Sequence, residues 1–269
     1  MHYFEPHFSY INHNEFDSIS GYQGVMPRTL PIGYLGENRE RMSAEDWDYV
    51  RDVYDSEISW TDRAIGALLS ALREWKLEER TIVVVVADHG EEFMERGRVG
   101  HPSSVYEELI HVPLIIYDPR DRSFSGARVQ EPVETRSVGA TILAMCGIEH
   151  SHLGGVDLLE VARGGRAYGS VYSEGNFAWH EGDRRTSLVL SGWKLIRNHD
   201  DGFQELYDLG RDPGERRNLL QSPDEGVPEA LGLMSTEMDA FAASRKGRTE
   251  KGNLGPEDLE RLRSLGYVE

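Results

Sequence analysis

Cysteine is nearly absent from this 269-residue chain, and the single one, Cys146, stands in an apolar stretch at residues 142–147. One thiol can form neither an internal disulfide nor a cysteine-based zinc cluster. Because a free cysteine among apolar neighbours usually packs as a small hydrophobe, we expect Cys146 to be buried.

Long apolar runs are missing as well. No stretch approaches the roughly 18 apolar residues that a membrane-spanning helix needs, and the N-terminus lacks the basic-then-apolar pattern of a secretory signal. Residues 1–7 look like the end of a strand. This abrupt start predicts that a segment preceding them has been lost or is encoded elsewhere.

Positive charge is scarce. The chain has 29 Lys and Arg against 47 Asp and Glu, a formal net charge of −18. We therefore expect neither nucleic acid nor an acidic membrane surface as a partner. A small anionic substrate is compatible with this charge if a metal or a few local cations receive it. The hydrophobic fraction of 39% supports one large domain, or one domain with a smaller one attached.

Nucleotide-binding glycine loops and the Gly-x-Ser-x-Gly nucleophile motif are also absent. What is present is the run Thr-Ile-Val-Val-Val-Val-Ala at 81–87, followed by Asp88-His89-Gly90-Glu91. Such a β-branched run is typical of a strand covered on both faces in a parallel sheet. In parallel sheets the catalytic and ligand-binding residues lie at the carboxyl ends of the strands. Asp88 and His89 therefore indicate a divalent-cation site, the alternative being a helix-capping aspartate beside a surface histidine.

Two other histidines are candidates for catalysis. His101 follows a glycine-rich segment at 97–100 that could bring it back over the strand end as a general acid, and His7 is placed by the preceding proline. Each could instead be an ordinary surface histidine. The acidic pairs at 91–92 and 107–108 are interpreted as helix caps or solvated side chains, and the arginines at 96 and 98 as surface cations that could attract an anion.

Helix and strand patterns alternate along the chain. Ser43 predicts the N-cap of a helix whose apolar face continues to Trp75, about eight turns later. Residues 27–41 are interpreted as a loop because they are rich in Gly, Pro and Asn. The other predicted strands are 112–117, 167–172, 186–190 and 193–197, and the other helices are 136–146, 228–243 and 257–265. This order predicts a layered α/β sheet with helices on both faces, then a small antiparallel subdomain with a covering helix.

Together these segments resemble the C-terminal part of a sulfatase of the alkaline phosphatase superfamily. The matching motifs, in chain order, are Tyr54-x-x-x-Ile58-x-x-x-Asp62, Ala87-Asp88-His89-Gly90-Glu91, Gly100-His101, Tyr106-Glu107-Glu108-Leu109-Ile110-His111-Val112-Pro113, Trp193-Lys194-Leu195-Ile196, Glu205-Leu206-Tyr207-Asp208-Leu209, Asp212-Pro213-Gly214-Glu215, Asn218-Leu219 and Leu262-Arg263-Ser264-Leu265-Gly266-Tyr267. The resemblance implies the latter half of an alkaline-phosphatase-like catalytic domain at 1–160 and a small α+β subdomain at 161–269.

The resemblance also implies roles for particular residues. Asp88 and His89 match the second pair of metal ligands, the first pair coming from an earlier strand. Pro6-His7, with Tyr10 three residues later, resembles the segment whose histidine contacts sulfate, and His101 takes the place of a residue that binds sulfate or assists the leaving group. The implied reaction is metal-assisted hydrolysis of a sulfate ester. Calcium is the family's usual ion, while the nitrogen of His89 leaves manganese or zinc open.

The sequence departs from the family pattern at several positions, and the most important departure concerns the nucleophile. The resemblance implies a Cys or Ser in a Cys-x-Pro-x-Arg setting and an early strand with paired aspartates, and this sequence has neither. In addition, Ser9 stands where the family has proline, and Pro102 follows His101 where glycine is common. Three interpretations stay open: a sulfatase, a phosphodiesterase or phosphonate monoester hydrolase with the same Asp-His pair, and a truncated or split chain that needs an N-terminal partner.

Overall fold

The computed structural model describes residues 1–16, 21–24, 26–101, 104–123, 125–150, 152–165, 168–176, 184–221, 226–245 and 255. Helices α1 to α6 occupy Ile32–Asn38, Ala44–Glu74, Glu107–Ile110, Ser137–Met145, Leu158–Ala162 and Leu231–Arg245. Strands β1 to β10 occupy Tyr10–Ile11, Thr29–Leu30, Val83–Val86, Glu92–Phe93, Val99–Gly100, Leu114–Tyr117, Val171–Asn176, Arg184–Leu190, Trp193–Asn198 and Gln204–Asp208. The predicted tail helix at 257–265 lies outside the described residues. None of the described helices is long and apolar enough to span a membrane.

Helix α2 begins where the sequence predicts. The Ser43 hydroxyl accepts from the backbone of Asp46, and the Asp46 carboxylate accepts from the backbone of Ser43, which forms a capping box. Its buried residues all lie in the first half, between Trp47 and Glu57. The expectation of a buried face over the whole helix is therefore wrong for the second half, where Trp75, just past the helix end, is 66% exposed.

The first core lies between α2 and the N-terminal segment. It contains Tyr10, Leu30, Leu35, Val50 and Phe93 among its fully or nearly fully buried side chains. The interpretation of 27–41 as a loop is wrong, because this stretch contains β2 and α1, whose Leu30 and Leu35 pack into this core. Burial of these leucines outweighs the weak helix and strand propensity of the neighbouring glycines and proline. The expected strand at 1–7 is also wrong, since the first strand is β1.

Strands β3 and β6 form a two-stranded antiparallel sheet, with Val83 opposite Tyr117 and Val86 opposite Leu114. The prediction of a parallel strand covered on both faces is thus wrong for the described part of the chain, where Val86, Ile115 and Tyr117 are 41%, 60% and 41% exposed. Strand β6 runs antiparallel to β3 because the segment between them brings the chain back to the end where β3 finishes. The β-branched run favours a strand but does not encode the sense of its pairing.

The C-terminal meander is confirmed and has one more strand than predicted. Its strands run antiparallel in the order β10-β9-β8-β7. Met234 and Met238 of α6 are fully buried against the sheet residues Leu188, Leu195 and Leu206, so the predicted covering helix is present. The domain boundary at 160 stays a prediction. Helix α4 is confirmed and is followed by Gly147 at φ +70°. Cys146, the residue directly after the helix, is exposed and not buried as expected.

Candidate functional site

Asp88 and His89 lie immediately beyond β3, at the end where β6 begins. The amide of Ala87 still donates to Pro113 O at 3.3 Å, but the next two side chains leave the sheet and are 73% and 36% exposed. The Nδ1 of His89 lies 2.8 Å from Gly90 O. Since a carbonyl only accepts, Nδ1 carries the proton and Nε2 the lone pair. This Nε2 lies 3.9 Å from Asp88 Oδ1.

His101 is brought to the same place by a hairpin. Strands β4 and β5 pair with Glu92 opposite Gly100, which sets Glu91 opposite His101. The His101 Nδ1 lies 3.1 Å from Glu91 Oε1, and its ring stacks on the ring of His89 with centroids 4.2 Å apart. The expected glycine-rich loop is in fact a tight turn, in which Gly97 adopts φ +72° and donates its amide to Met94 O.

His7 joins the group through the residues that follow it. Tyr10 is fully buried in the first core, and its hydroxyl donates to Glu91 Oε2 at 2.5 Å. The amide of Ile11 donates to the buried Glu57 of α2 at 2.7 Å. These two anchors fix the start of β1 and leave the His7 ring 5.1 Å from the ring of His101.

The three imidazoles share one hydrogen-bonding pattern. Each Nδ1 faces an acceptor, which is Phe8 O for His7, Gly90 O for His89 and a Glu91 carboxylate oxygen for His101. In each ring Nε2 is therefore the nitrogen that can bind a ligand or exchange a proton. Such a group can receive an anion when protonated and can deliver a proton to a leaving oxygen.

Glu91 is the functional candidate that the sequence interpretation missed. It is nearly buried, and its two oxygens hold Tyr10 and His101, so it does not cap or solvate a helix as expected. Burial, followed by the nearby charge of Glu91, raises the pKa of Tyr10 far above its ordinary value, so the phenol stays protonated and donates. Its position directly after the Asp-His-Gly segment is the only local signal of this role.

Glu92 is fully buried, which also contradicts its assignment to a helix surface. Burial raises the pKa of Glu92 above its ordinary value, and the positive charge of Arg98 opposes this shift. The other arginine, Arg96, has a mostly buried side chain that pairs with Glu108 at 3.3 Å. Arg96 is therefore engaged within the fold and is not the exposed anion-attracting cation that the sequence suggested.

Gly90 has a steric role. A Cβ at this position would lie 2.1 Å from Glu108 O, and its φ is outside the left-handed region. The backbone at 90–91 also donates two hydrogen bonds to α3, from Gly90 N to Leu109 O at 2.8 Å and from Glu91 N to Glu108 O at 3.1 Å. The glycine is thus required by close packing against α3.

A divalent cation fits part of this arrangement. An exposed carboxylate oxygen and an imidazole nitrogen with its lone pair available, 3.9 Å apart, are a suitable pair of donors for one ion. The hydrogen bond from His89 Nδ1 to Gly90 O is the outer contact that usually orients a ligating histidine. Among the described residues, however, no three His, Cys, Asp or Glu side chains are grouped to hold a metal. Asp88 and His89 fit as part of a coordination shell.

Comparison with known proteins identifies the family. The family model described as Sulfatase matches residues 2–148. The chain belongs to the sulfatase family. Arylsulfatase K of Danio rerio is 31% identical over 212 residues, which is 72% of this chain and 39% of the relative. Delta 4,5-hexuronate-2-O-sulfatase of Bacteroides thetaiotaomicron is 26% identical over 218 residues, 72% of this chain and 43% of the relative.

Solved structures support the same fold. The phosphonate monoester hydrolase of Agrobacterium radiobacter has a TM-score of 0.60 at 21% identity and covers 83% of this chain and 42% of that one. A 2-O GAG sulfatase has a TM-score of 0.63 at 23% identity, with 80% and 48% covered. These likenesses confirm the alkaline-phosphatase-like α/β fold expected from the sequence. The chain spans about two fifths of the length of the curated relatives named above.

Proposed function

We propose that this chain carries the anion-binding and proton-donating part of a sulfuric ester hydrolase site. The observation that carries the proposal is the group formed by His7, His89 and His101, whose Nδ1 atoms are all engaged and whose Nε2 atoms are left to interact with a ligand. The named sequence relatives are sulfatases, which favours a sulfate ester over a phosphodiester.

In this proposal His7 binds the sulfate group through Nε2. His101 donates the proton that the departing alcohol oxygen needs, and Glu91 holds its imidazole in the required orientation. Asp88 and His89 would hold a divalent cation, calcium first, which supplies positive charge for the sulfate oxygens. Protonated imidazoles and a cation can thereby receive an anion despite the chain's net charge of −18.

The nucleophile is proposed to come from polypeptide outside this chain. No cysteine or serine here stands two residues before a proline, as the Cys-x-Pro-x-Arg motif requires. The same polypeptide would supply the remaining metal ligands and cover the apolar surface around β3 and β6. On this view the partner is an N-terminal half of the same protein or a separate chain.

A cleft beside His7 is proposed to receive part of the alcohol group. It has a volume of about 150 Å³ and is lined on its aromatic side by Phe4, Phe8 and Trp60. A cavity of roughly this size holds one benzene-sized ring. Aromatic walls favour flat or ring-shaped groups, so an aryl sulfate is a suitable first probe.

The test uses the purified chain with calcium, 4-nitrophenyl sulfate and bis(4-nitrophenyl) phosphate. We expect binding of the sulfate, weakened at least tenfold in His101→Ala, which corresponds to about 1.4 kcal/mol. We expect no release of 4-nitrophenol from either compound. His150→Ala is the control, because its imidazole forms an exposed hydrogen bond to Ile148 O and no other among the described residues.

Equal binding by the wild type and His101→Ala would contradict the proposed anion site. Preference for the phosphodiester would favour the phosphodiesterase alternative. Calcium-dependent release of 4-nitrophenol by the chain alone would overturn the assignment of the nucleophile to other polypeptide.

A further inference from the structure

A buried ion network joins the C-terminal sheet to the segment that carries His101. Lys194 of β9 is completely buried, and its Nζ lies 2.6 Å from Glu215 Oε1 and 2.8 Å from Glu107 Oε1. Glu215 is also completely buried. Glu107 is the first residue of α3, so one lysine of the C-terminal sheet connects two acidic groups that are far apart in sequence.

The network reaches the chain on both sides of His101. The second oxygen of Glu215 accepts from the backbone amide of Glu107 at 2.7 Å. Arg96, in the turn of the β4–β5 hairpin, donates to Glu215 O at 2.8 Å and to Gly214 O at 3.0 Å. The hairpin before His101 and the helix after it are therefore both attached to residues 214–215.

Helix α3 in turn contacts the backbone that directly follows the candidate metal ligands. The amides of Gly90 and Glu91 donate to Leu109 O and Glu108 O. The Gly90 backbone is so close to Glu108 O that no side chain fits between them. A movement of α3 would therefore move His89, Gly90 and Glu91.

The backbone of Glu215 supports a positioning role. It adopts φ +49°, a left-handed conformation that is unfavourable for a residue with a side chain and persists where surrounding contacts enforce it. Buried ion pairs are weak evidence for a contribution to stability, because desolvation offsets their attraction. Their contacts nevertheless fix the relative position of the elements that they join.

We propose that Lys194 and Glu215 are positioning residues for the site. They hold Glu107, and through α3 they fix the backbone at His89–Glu91 and the hairpin that presents His101. The C-terminal sheet is then part of the framework of the site and not a separate cover. The catalytic consequence rests on the proposed function, whereas the structural coupling does not.

The test is amide hydrogen exchange measured by NMR on the full chain without metal or substrate. In Lys194→Met we expect the exchange rates of the Gly90 and Glu91 amides to rise at least tenfold more than those of the β8 and β9 amides. Lys194→Arg restores the cation and should recover much of the protection. The matched control is Arg197→Met on the same strand, which removes the ion pair with Asp239 of α6 and should leave both amides within twofold of wild type.

If Lys194→Met does not fold, Glu107→Ala replaces it, because Glu107 is partly exposed and lies on α3 itself. The same two amides should then exchange at least threefold faster relative to the sheet. Unchanged relative rates in every folded variant that removes a network side chain would overturn the coupling. An equal rise in the exchange rates of the Gly90 and Glu91 amides in Arg197→Met would also overturn the coupling. Failure of the chain to bind a cation or a sulfate ester would instead contradict the proposed function and leave this result intact.

Discussion

Glu91 and Glu92 are adjacent acidic residues with different surroundings. Glu91 accepts hydrogen bonds from Tyr10 and His101 on its two oxygens, whereas Glu92 is fully buried near Ser104 and Arg98. The first carboxylate orients a candidate catalytic histidine. The second bears a desolvation cost, which is expected to make the stability of the chain depend on pH.

Glu92→Gln tests this cost. The folded state binds the Glu92 proton more tightly than the unfolded state, because burial raises its pKa above the ordinary 4.5. Wild-type stability contributed by this group therefore falls as the pH rises above about 4.5. We expect the variant to be about as stable as wild type at pH 4.5 and more stable than wild type at pH 7.5, because glutamine carries no charge to bury.

Urea unfolding at the two pH values measures this difference. Glu40→Gln, at an exposed position, is the control and should show no pH-dependent gain. A Glu92→Gln variant that is less stable than wild type at pH 7.5 would show that the charged carboxylate is stabilised by its arginine neighbours.

Gly90→Ala tests the close approach of α3. The added Cβ would meet Glu108 O at 2.1 Å, so we expect the free energy of unfolding to fall by about 1–3 kcal/mol. The control is Gly66→Ala inside α2, where nothing lies within 4 Å, and this change should stabilise by about 0.5–1 kcal/mol. Thermal denaturation of both variants checks the pair, and equal effects would refute the steric argument.

The start of helix α2 is determined by a local capping signal, and its first half is stabilised by packing. The capping box supplies hydrogen bonds for its first turn, and Val50 and Val53 pack into the first core. None of the residues in its second half is fully buried. We therefore expect the stability of this helix to depend strongly on its N-terminus.

Ser43→Ala should lower the free energy of unfolding by about 0.5–2 kcal/mol, because the amide of Asp46 loses its acceptor. Ser59→Ala is the matched control, since its hydroxyl only donates to Asp55 O along the exposed side of the same helix. Chemical denaturation measures both variants. A larger loss for Ser59→Ala would show that the cap does not limit the helix.

The sequence predicts elements better than it predicts contacts. Capping and periodicity locate α2 and α4, and alternation locates β8 and β9, because these signals act over a few residues. The burial of Glu91 depends on Tyr10, which is 81 residues away in the chain, and Lys194 meets Glu107 across 87 residues. The antiparallel sense of β3 and β6 likewise depends on the course of the whole segment between them.

At the scale of the whole molecule, the β3–β6 sheet leaves apolar side chains and strand edges open among the described residues. Ile115 and Tyr117 share one face with Val85, and Val86 lies on the other. Open edges of this kind favour pairing with another chain. The proposed N-terminal polypeptide would cover this surface, and without it we expect the purified chain to self-associate.

Ile115→Lys should shift the chain toward the monomer, because it places a charge in the middle of the exposed face. Analytical ultracentrifugation over a range of concentrations measures the effect. Val129→Lys adds the same charge at an exposed apolar residue outside any helix or strand, and it should change the association little. Equal shifts would mean that net charge alone controls the association.

Asp88 and His89 are proposed to bind a divalent cation beside His7 and His101. Manganese, titrated at substoichiometric amounts while the histidine ring signals are followed by NMR, tests this binding through distance-dependent broadening. We predict that the signals of the three site histidines broaden first, that His150 and His199 stay sharp, and that Asp88→Asn weakens the effect at least tenfold. Uniform broadening of all histidine signals, or an unchanged titration in Asp88→Asn, would contradict cation binding by Asp88 and His89.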